Sequence, residues 1–109
     1  MSLFHLILGA AAVLAAVYVV SLCLSVVFDY LENLISNLKS RYGNKRINKN
    51  CVGVMVRERL NSGEFNVISG VFDQTENTLV EANAWKTGKL EYDIENEFRG
   101  DDCVTYTIT

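Results

Sequence analysis

Residues Leu3 to Phe28 run for 26 positions without an Asp, Glu, Lys or Arg. About 20 apolar residues, rising roughly 1.5 Å each along a helix, cross a hydrocarbon core about 30 Å thick. Read as one helix, the stretch is long enough to span a bilayer. A cleaved signal peptide fits less well: Met1-Ser2 carries no basic side chain, and the apolar run exceeds the about 7–15 residues of a signal core. Leu22 before Cys23 argues against a lipidated cysteine, where a small residue is needed. A buried helix of a water-soluble fold requires other apolar material to surround it on every side, and 109 residues offer little. The expectation is therefore a retained transmembrane helix.

Charge divides the rest of the chain. Residues 29–50 set Asp29 and Glu32 against Lys39, Arg41, Lys45, Arg46 and Lys49, a net +3, and residues 51–109 carry eleven acids against five bases, a net −6. Basic residues beside a span are retained on the cytoplasmic side. All five follow this one, which predicts an external amino terminus and a cytoplasmic carboxyl domain. The same five are candidates for contact with anionic headgroups, worth about 1 kcal/mol each. The expected organisation is a transmembrane helix continuing as a juxtamembrane helix over 1–43, a basic polar linker over 44–50, and a small β-rich domain over 51–109.

The juxtamembrane helix rests on spacing. Leu31, Leu34, Ile35, Leu38 and Tyr42 fall at helical intervals on one face, and Gly43-Asn44 supplies a stop. That leucine face needs a partner, whether interfacial lipid, a second copy or the domain that follows.

From Cys51 the pattern becomes strand-like. Cys51–Leu60 is rich in valine, Asn61-Ser62-Gly63 is a turn, and Phe65–Phe72 carries apolar residues on both faces, with Gly70 marking a bulge or a close backbone approach. Thr78–Lys86 forms a third strand containing Trp85, and Val104, Tyr106 and Ile108 alternate with threonines in a last one. Lys89–Arg99 fits both periods. Acids early in the segment, a Glu95–Arg99 pair and Gly100 beyond it favour helix. The expected class is α+β: one N-terminal transmembrane helix followed by a small antiparallel sheet in the order β-β-β-α-β, with an all-β meander as the alternative. A domain of about 59 residues buries only about 60% of its unfolded surface, so assembly with something else is expected.

Motifs of catalysis or metal binding are sparse. Cys23, Cys51 and Cys103 make no Cys-x-x-Cys pair, and His5 is the single histidine, so no zinc site is expected. Cys51 and Cys103 read as small apolar strand residues; in an oxidising compartment they could pair as a disulfide between neighbouring strands. The acids Glu91, Asp93, Glu95, Glu97, Asp101 and Asp102 lack the layout of a calcium loop and read as a solvated helix face. An acidic domain repels phosphate backbones, which excludes nucleic acid as a partner. No phosphate loop, nucleophile elbow or dinucleotide fingerprint is present.

These features point to a membrane-anchored interaction module, an accessory subunit or adaptor, with no cofactor and no catalytic residue assigned. Its expected partners are the lipid bilayer and either another membrane protein or a second copy. Within the supposed span, Gly9, Ala12, Ala16, Val20 and Cys23 share one helical face, and small residues allow close helix packing, so Gly9, Ala12, Ala16 and Cys23 form the candidate helix–helix interface. The alternative is a membrane-bound enzyme or ligand sensor, with Tyr92, Trp85 and the acids gathered in a cleft across a homo-oligomer.

Overall fold

Three helices and five strands make up the computed structural model, which describes residues 2–42 and 50–108. In chain order they are α1 (Leu3–Ala11), β1 (Val17–Val19), α2 (Leu24–Tyr42), β2 (Cys51–Arg59), β3 (Phe65–Asp73), β4 (Thr78–Thr87), α3 (Tyr92–Phe98) and β5 (Cys103–Thr107). The strands form one mixed sheet in the order β1-β4-β3-β2-β5. All neighbours are antiparallel except β1, which runs parallel to β4 with Val17, Tyr18 and Val19 opposite Trp85, Lys86 and Thr87.

The expectation of a transmembrane helix is overturned. Among the described residues no helix is long and apolar enough to cross a membrane. The uncharged stretch is broken into a nine-residue helix, a short strand and the first turns of α2. With the span go the single-pass assignment and the orientation drawn from it, amino terminus outside and carboxyl domain cytoplasmic. The sheet is also not the purely antiparallel one expected, because the supposed span donates its parallel edge strand.

The physical reason lies in the sheet. Successive strand residues point to opposite faces, and β2 and β3 are apolar on both. On one face Val54, Val56, Ile68, Phe72 and Ala84 pack against Ile7 and Ala11 of α1. On the other, Met55, Val67 and Trp85 pack under Leu22 and Val27 and against Ile94 and Phe98 of α3. Leu31, Leu34 and Leu38 of α2 complete that layer over Cys51 and Val71. A helix hydrophobic all round cannot be wrapped by a chain this size, but three separate pieces can each be covered on one side. The Val17-Tyr18-Val19-Val20 run, β-branched and aromatic, suits a strand rather than a helix.

The leucine face of α2 finds its partner in the sheet itself. Two ring contacts fix its start: Phe28 meets Tyr106 edge-on at 5.3 Å, and Tyr30 meets Trp85 at 5.4 Å. From Cys51 onward the elements run strand, strand, strand, helix, strand, so 92–98 adopts the helical alternative. Gly70 marks a close approach. A Cβ there would collide with the Glu81 carbonyl oxygen and lie 2.6 Å from the Ala82 Cβ, and the β3–β4 register shifts just beyond, at Val71/Phe72.

The expected stop at Gly43-Asn44 and the basic linker 44–50 fall outside the described residues, save Asn50. Cys51 and Cys103 cannot form the disulfide considered for an oxidising compartment. Cys103 sits opposite Val56, five positions along β2 from Cys51 and about 17 Å away at about 3.4 Å per residue, and the two thiols belong to opposite faces.

Two substitutions distinguish this packing from a free-standing anchor. Ile7 is fully buried, and Ile7→Ala should lower unfolding free energy by about 2–5 kcal/mol in urea denaturation. Gly9 is exposed mid-helix with open space where a Cβ would stand, so Gly9→Ala should raise stability by about 0.5–1 kcal/mol. An unchanged urea midpoint for Ile7→Ala would mean that α1 does not pack on the sheet.

Candidate interaction surface

The uncharged segment crosses the sheet margin between its two buried ends, and its middle stays on the outside. Val13 is 90% exposed, Val17 49%, Tyr18 63% and Val20 81%. Scattered exposed apolar residues are ordinary, but four within eight positions, without a charge between them, form a strip. Its centre is β1, at the sheet edge, hydrogen-bonded on one side to β4 and without a strand partner on the other among the described residues.

A lock at Leu22 positions the strip. The Leu22 N–H donates to the Lys89 carbonyl at 3.0 Å, and its own carbonyl accepts from the Glu91 N–H at 2.8 Å. The Ser21 hydroxyl donates to the Glu91 carboxylate, and the Leu24 N–H donates to Asp93 Oδ1 at 3.3 Å. The buried Thr87 hydroxyl lies 3.2 Å from the Val20 carbonyl, which it reaches as a donor. Segment 20–24 is thereby held along 87–93, with the Leu22 side chain fully buried. These bonds keep Val20 outside by fixing its neighbours inside.

Elsewhere the surface formed by the described residues carries open grooves. One of about 440 Å³ is lined by Arg57, Arg59, Phe65, Glu95 and Asp102. Three of its charges are engaged: Arg57 Nε lies 3.2 Å from Asp102 Oδ1 with its guanidinium 4.8 Å from the Phe98 ring centre, and Arg59 sits over Phe65 at 5.4 Å. A second, of about 190 Å³, lies between Tyr30, Asn33 and Asn37 of α2 and Glu81 of β4. Another runs beside Cys103 and Tyr106. Burial, and secondarily Asp101, pushes the Cys103 thiol up, which disfavours the thiolate a nucleophile requires. Among the described residues no three His, Cys, Asp or Glu side chains converge as a metal site.

The residues singled out from the sequence are dispersed. Gly9 lies in α1, Ala12 caps that helix, Ala16 precedes β1, and Cys23 stands just before α2, with its thiol 3.2 Å from the Ser25 hydroxyl. They do not share a helical face, because the helix carrying Gly9 ends at Ala11. Val20 belongs to the exposed strip. Lys39 is exposed on α2 and donates to the Ile108 carbonyl at 3.5 Å, and Arg41 falls in that helix's last turn. Lys45, Arg46 and Lys49 lie outside the described residues. Trp85 is core and Tyr92 is exposed, so the pair is not gathered in one chain. His5 is exposed, its N–H donating to Ser2 in the α1 cap.

Sequence reasoning missed the strip, for which one signal was present. Val17-Tyr18-Val19-Val20 concentrates strand-forming residues inside an otherwise helix-compatible run. Compared with known proteins, the chain matches no family model, no curated protein and no solved structure.

Tyr30 of α2 and Tyr106 of β5 make stability pH-dependent. Burial, then the Glu81 charge, raises Tyr30 from 10.0 to about 12. Tyr106 is raised too, by burial first, then by its 2.9 Å hydrogen bond to Glu97 and that carboxylate's charge. Folded-state values above the unfolded ones mean that the folded chain holds more protons at alkaline pH. Their contribution is fully present below about pH 10 and is lost as pH rises toward about 12. Urea midpoints measured across that window should fall, and Tyr106→Phe should flatten the fall while removing about 0.5–1.5 kcal/mol at neutral pH.

Proposed function

We propose that this protein acts by binding another protein chain, as an interaction module or accessory subunit, and that the strip Val13, Val17, Tyr18 and Val20 is its contact surface. The observation that carries this reading is the placement of four exposed apolar side chains on and around an open sheet edge, in a segment without charge. A sheet edge offers backbone donors and acceptors to an incoming strand, and flanking apolar side chains supply the buried area. The lock at Leu22 holds the strip in place before any partner arrives, which reduces the ordering cost of association.

This reading also accounts for the distribution of charge. Every Asp, Glu, Lys and Arg lies outside residues 3–28, so the strip is a part of the surface that costs little to remove from water. The groove at Arg57 is lined by four charged side chains and Phe65, and the groove at Tyr30 mixes leucines with Asn33, Asn37 and Glu81, so both bring polar groups that the strip lacks.

Photocrosslinking tests the surface directly. A benzophenone side chain replacing Val20 should yield an adduct of defined mass to a protein chain, whereas the same probe replacing Thr105, on the opposite sheet edge, should not. Val13→Asp with Val17→Asp should abolish the adduct without changing the far-ultraviolet circular dichroism. Equal labelling from both positions, or none from Val20, defeats the proposal.

A further inference from the structure

We infer that the groove at Arg59 is a binding site for a small zwitterion, an α-amino acid or a short peptide with both ends free. Arg59 holds the carboxylate of this ligand and Glu95 its ammonium group. The site is separate from the strip around β1 and does not depend on how that strip is read.

Arg57 and Arg59 stand two positions apart on β2, so both lie on the sheet face that carries α3. The inner one is held on three sides. Arg57 Nε lies 3.2 Å from Asp102 Oδ1, another of its nitrogens donates to the Asp101 carbonyl at 3.2 Å, and the group rests against the Phe98 ring. Asp102 is neutralised in the same contact. The outer one, Arg59, is directly opposite Phe65 of β3, and its guanidinium lies 5.4 Å from that ring's centre. A ring contact steadies the guanidinium without neutralising it, and Arg59 has no carboxylate partner among the described residues.

Glu95 is the second unneutralised group. It sits three positions before the buried Phe98 on α3, on an exposed flank, and no base engages its carboxylate among the described residues. Glu95 and Arg59 therefore line one groove of about 440 Å³ without pairing with each other. That volume falls within the about 300–1,000 Å³ of small-molecule sites. With Arg57 and Asp102 cancelling, the groove offers one positive and one negative group.

This balance selects the ligand. A simple anion gains Arg59 but meets Glu95, in a stretch where eleven acids face five bases. A simple cation gains Glu95 but meets Arg59. A molecule with a carboxylate at one end and an ammonium group at the other meets an opposite charge at both. Hydrogen bonds between ionised partners are about twice as strong as neutral ones. Peptide length supplies the match to the gap, because each added residue extends the reach by about 3.3–3.6 Å. The groove is open to solvent, and salt screening keeps the affinity in the millimolar range.

Two-dimensional NMR titration of the isotope-labelled full chain tests this, with glycine, diglycine and triglycine as probes at constant ionic strength. At least one of the three should shift the amide signals of Arg59, Phe65 and Glu95 saturably. Acetate and methylammonium, with one charge each, should bind about tenfold more weakly or not at all. Arg59→Gln and Glu95→Gln should each weaken the zwitterion about tenfold, while amide signals away from the groove stay in place and show that both variants fold. Glu58→Gln, which removes a charge from the opposite sheet face, should leave binding as it is. Three probes that never saturate overturn the site. So does acetate binding as well as the zwitterions, or binding indifferent to either glutamine substitution.

Discussion

A sheet that is apolar on both faces has to be covered on both faces, and the rest of this structure follows from that requirement. β2 and β3 expose valine, isoleucine, methionine and phenylalanine above and below. Leaving either side to water forfeits about 25 cal/mol for every Å² of apolar surface. The chain after Cys51 contains one seven-residue helix, α3, which shields part of one face. The remaining cover comes from residues 3–42, and the break between α1 and α2 lets the chain pass from one face to the other around the β4 edge. β1 is the strand made in passing.

Crossing the edge creates the feature with functional interest. A segment whose two ends are buried on opposite faces must bring its middle to the margin, and here the middle is as apolar as the ends. The anchors at Ile7 and Leu22 are fully buried, while Val13 and Val20 between them are almost fully exposed. Backbone bonds from Leu22 to Lys89 and Glu91 prevent this middle from folding inward to hide itself. The exposure of the strip is thus a consequence of how its neighbours are held.

Polar groups within the layers are matched locally. The Ser69 hydroxyl, fully buried in β3, donates to the Val54 carbonyl at 2.8 Å. Arg57 lies partly under α3 and is held by Asp102 and the Asp101 carbonyl, which ties the turn after α3 to the end of β2. That turn uses left-handed backbone at both Arg99 and Gly100, with Gly100 at φ +84°. Such conformations favour glycine, and the glycine read from the sequence as a helix stop serves there.

Much of the chain after Phe28 was legible in the sequence because its signals are local. Period-2 alternation marks β5, Asn61-Ser62-Gly63 marks the β2–β3 turn with Gly63 at φ +90°, and the i, i+3, i+4 leucines mark the buried face of α2. The amino-terminal third was not legible in the same way. Uncharged length is a statement about transfer out of water, and a lipid interior and a protein interior satisfy it equally. One clue to the choice was present in β3, where Phe65, Val67 and Val71 on one face and Ile68 and Phe72 on the other require two covering layers. The sequence by itself determined that residues 3–28 carry no Asp, Glu, Lys or Arg and that strands dominate after Cys51, with 89–99 compatible with both helix and strand. Only the tertiary structure decided that the uncharged stretch breaks at Ala11, spends three residues as a parallel edge strand and leaves Val13, Val17, Tyr18 and Val20 outside. Those outcomes depend on partners more than 60 residues away in the chain, Trp85 to Glu91, and no local pattern encodes where such distant partners will stand.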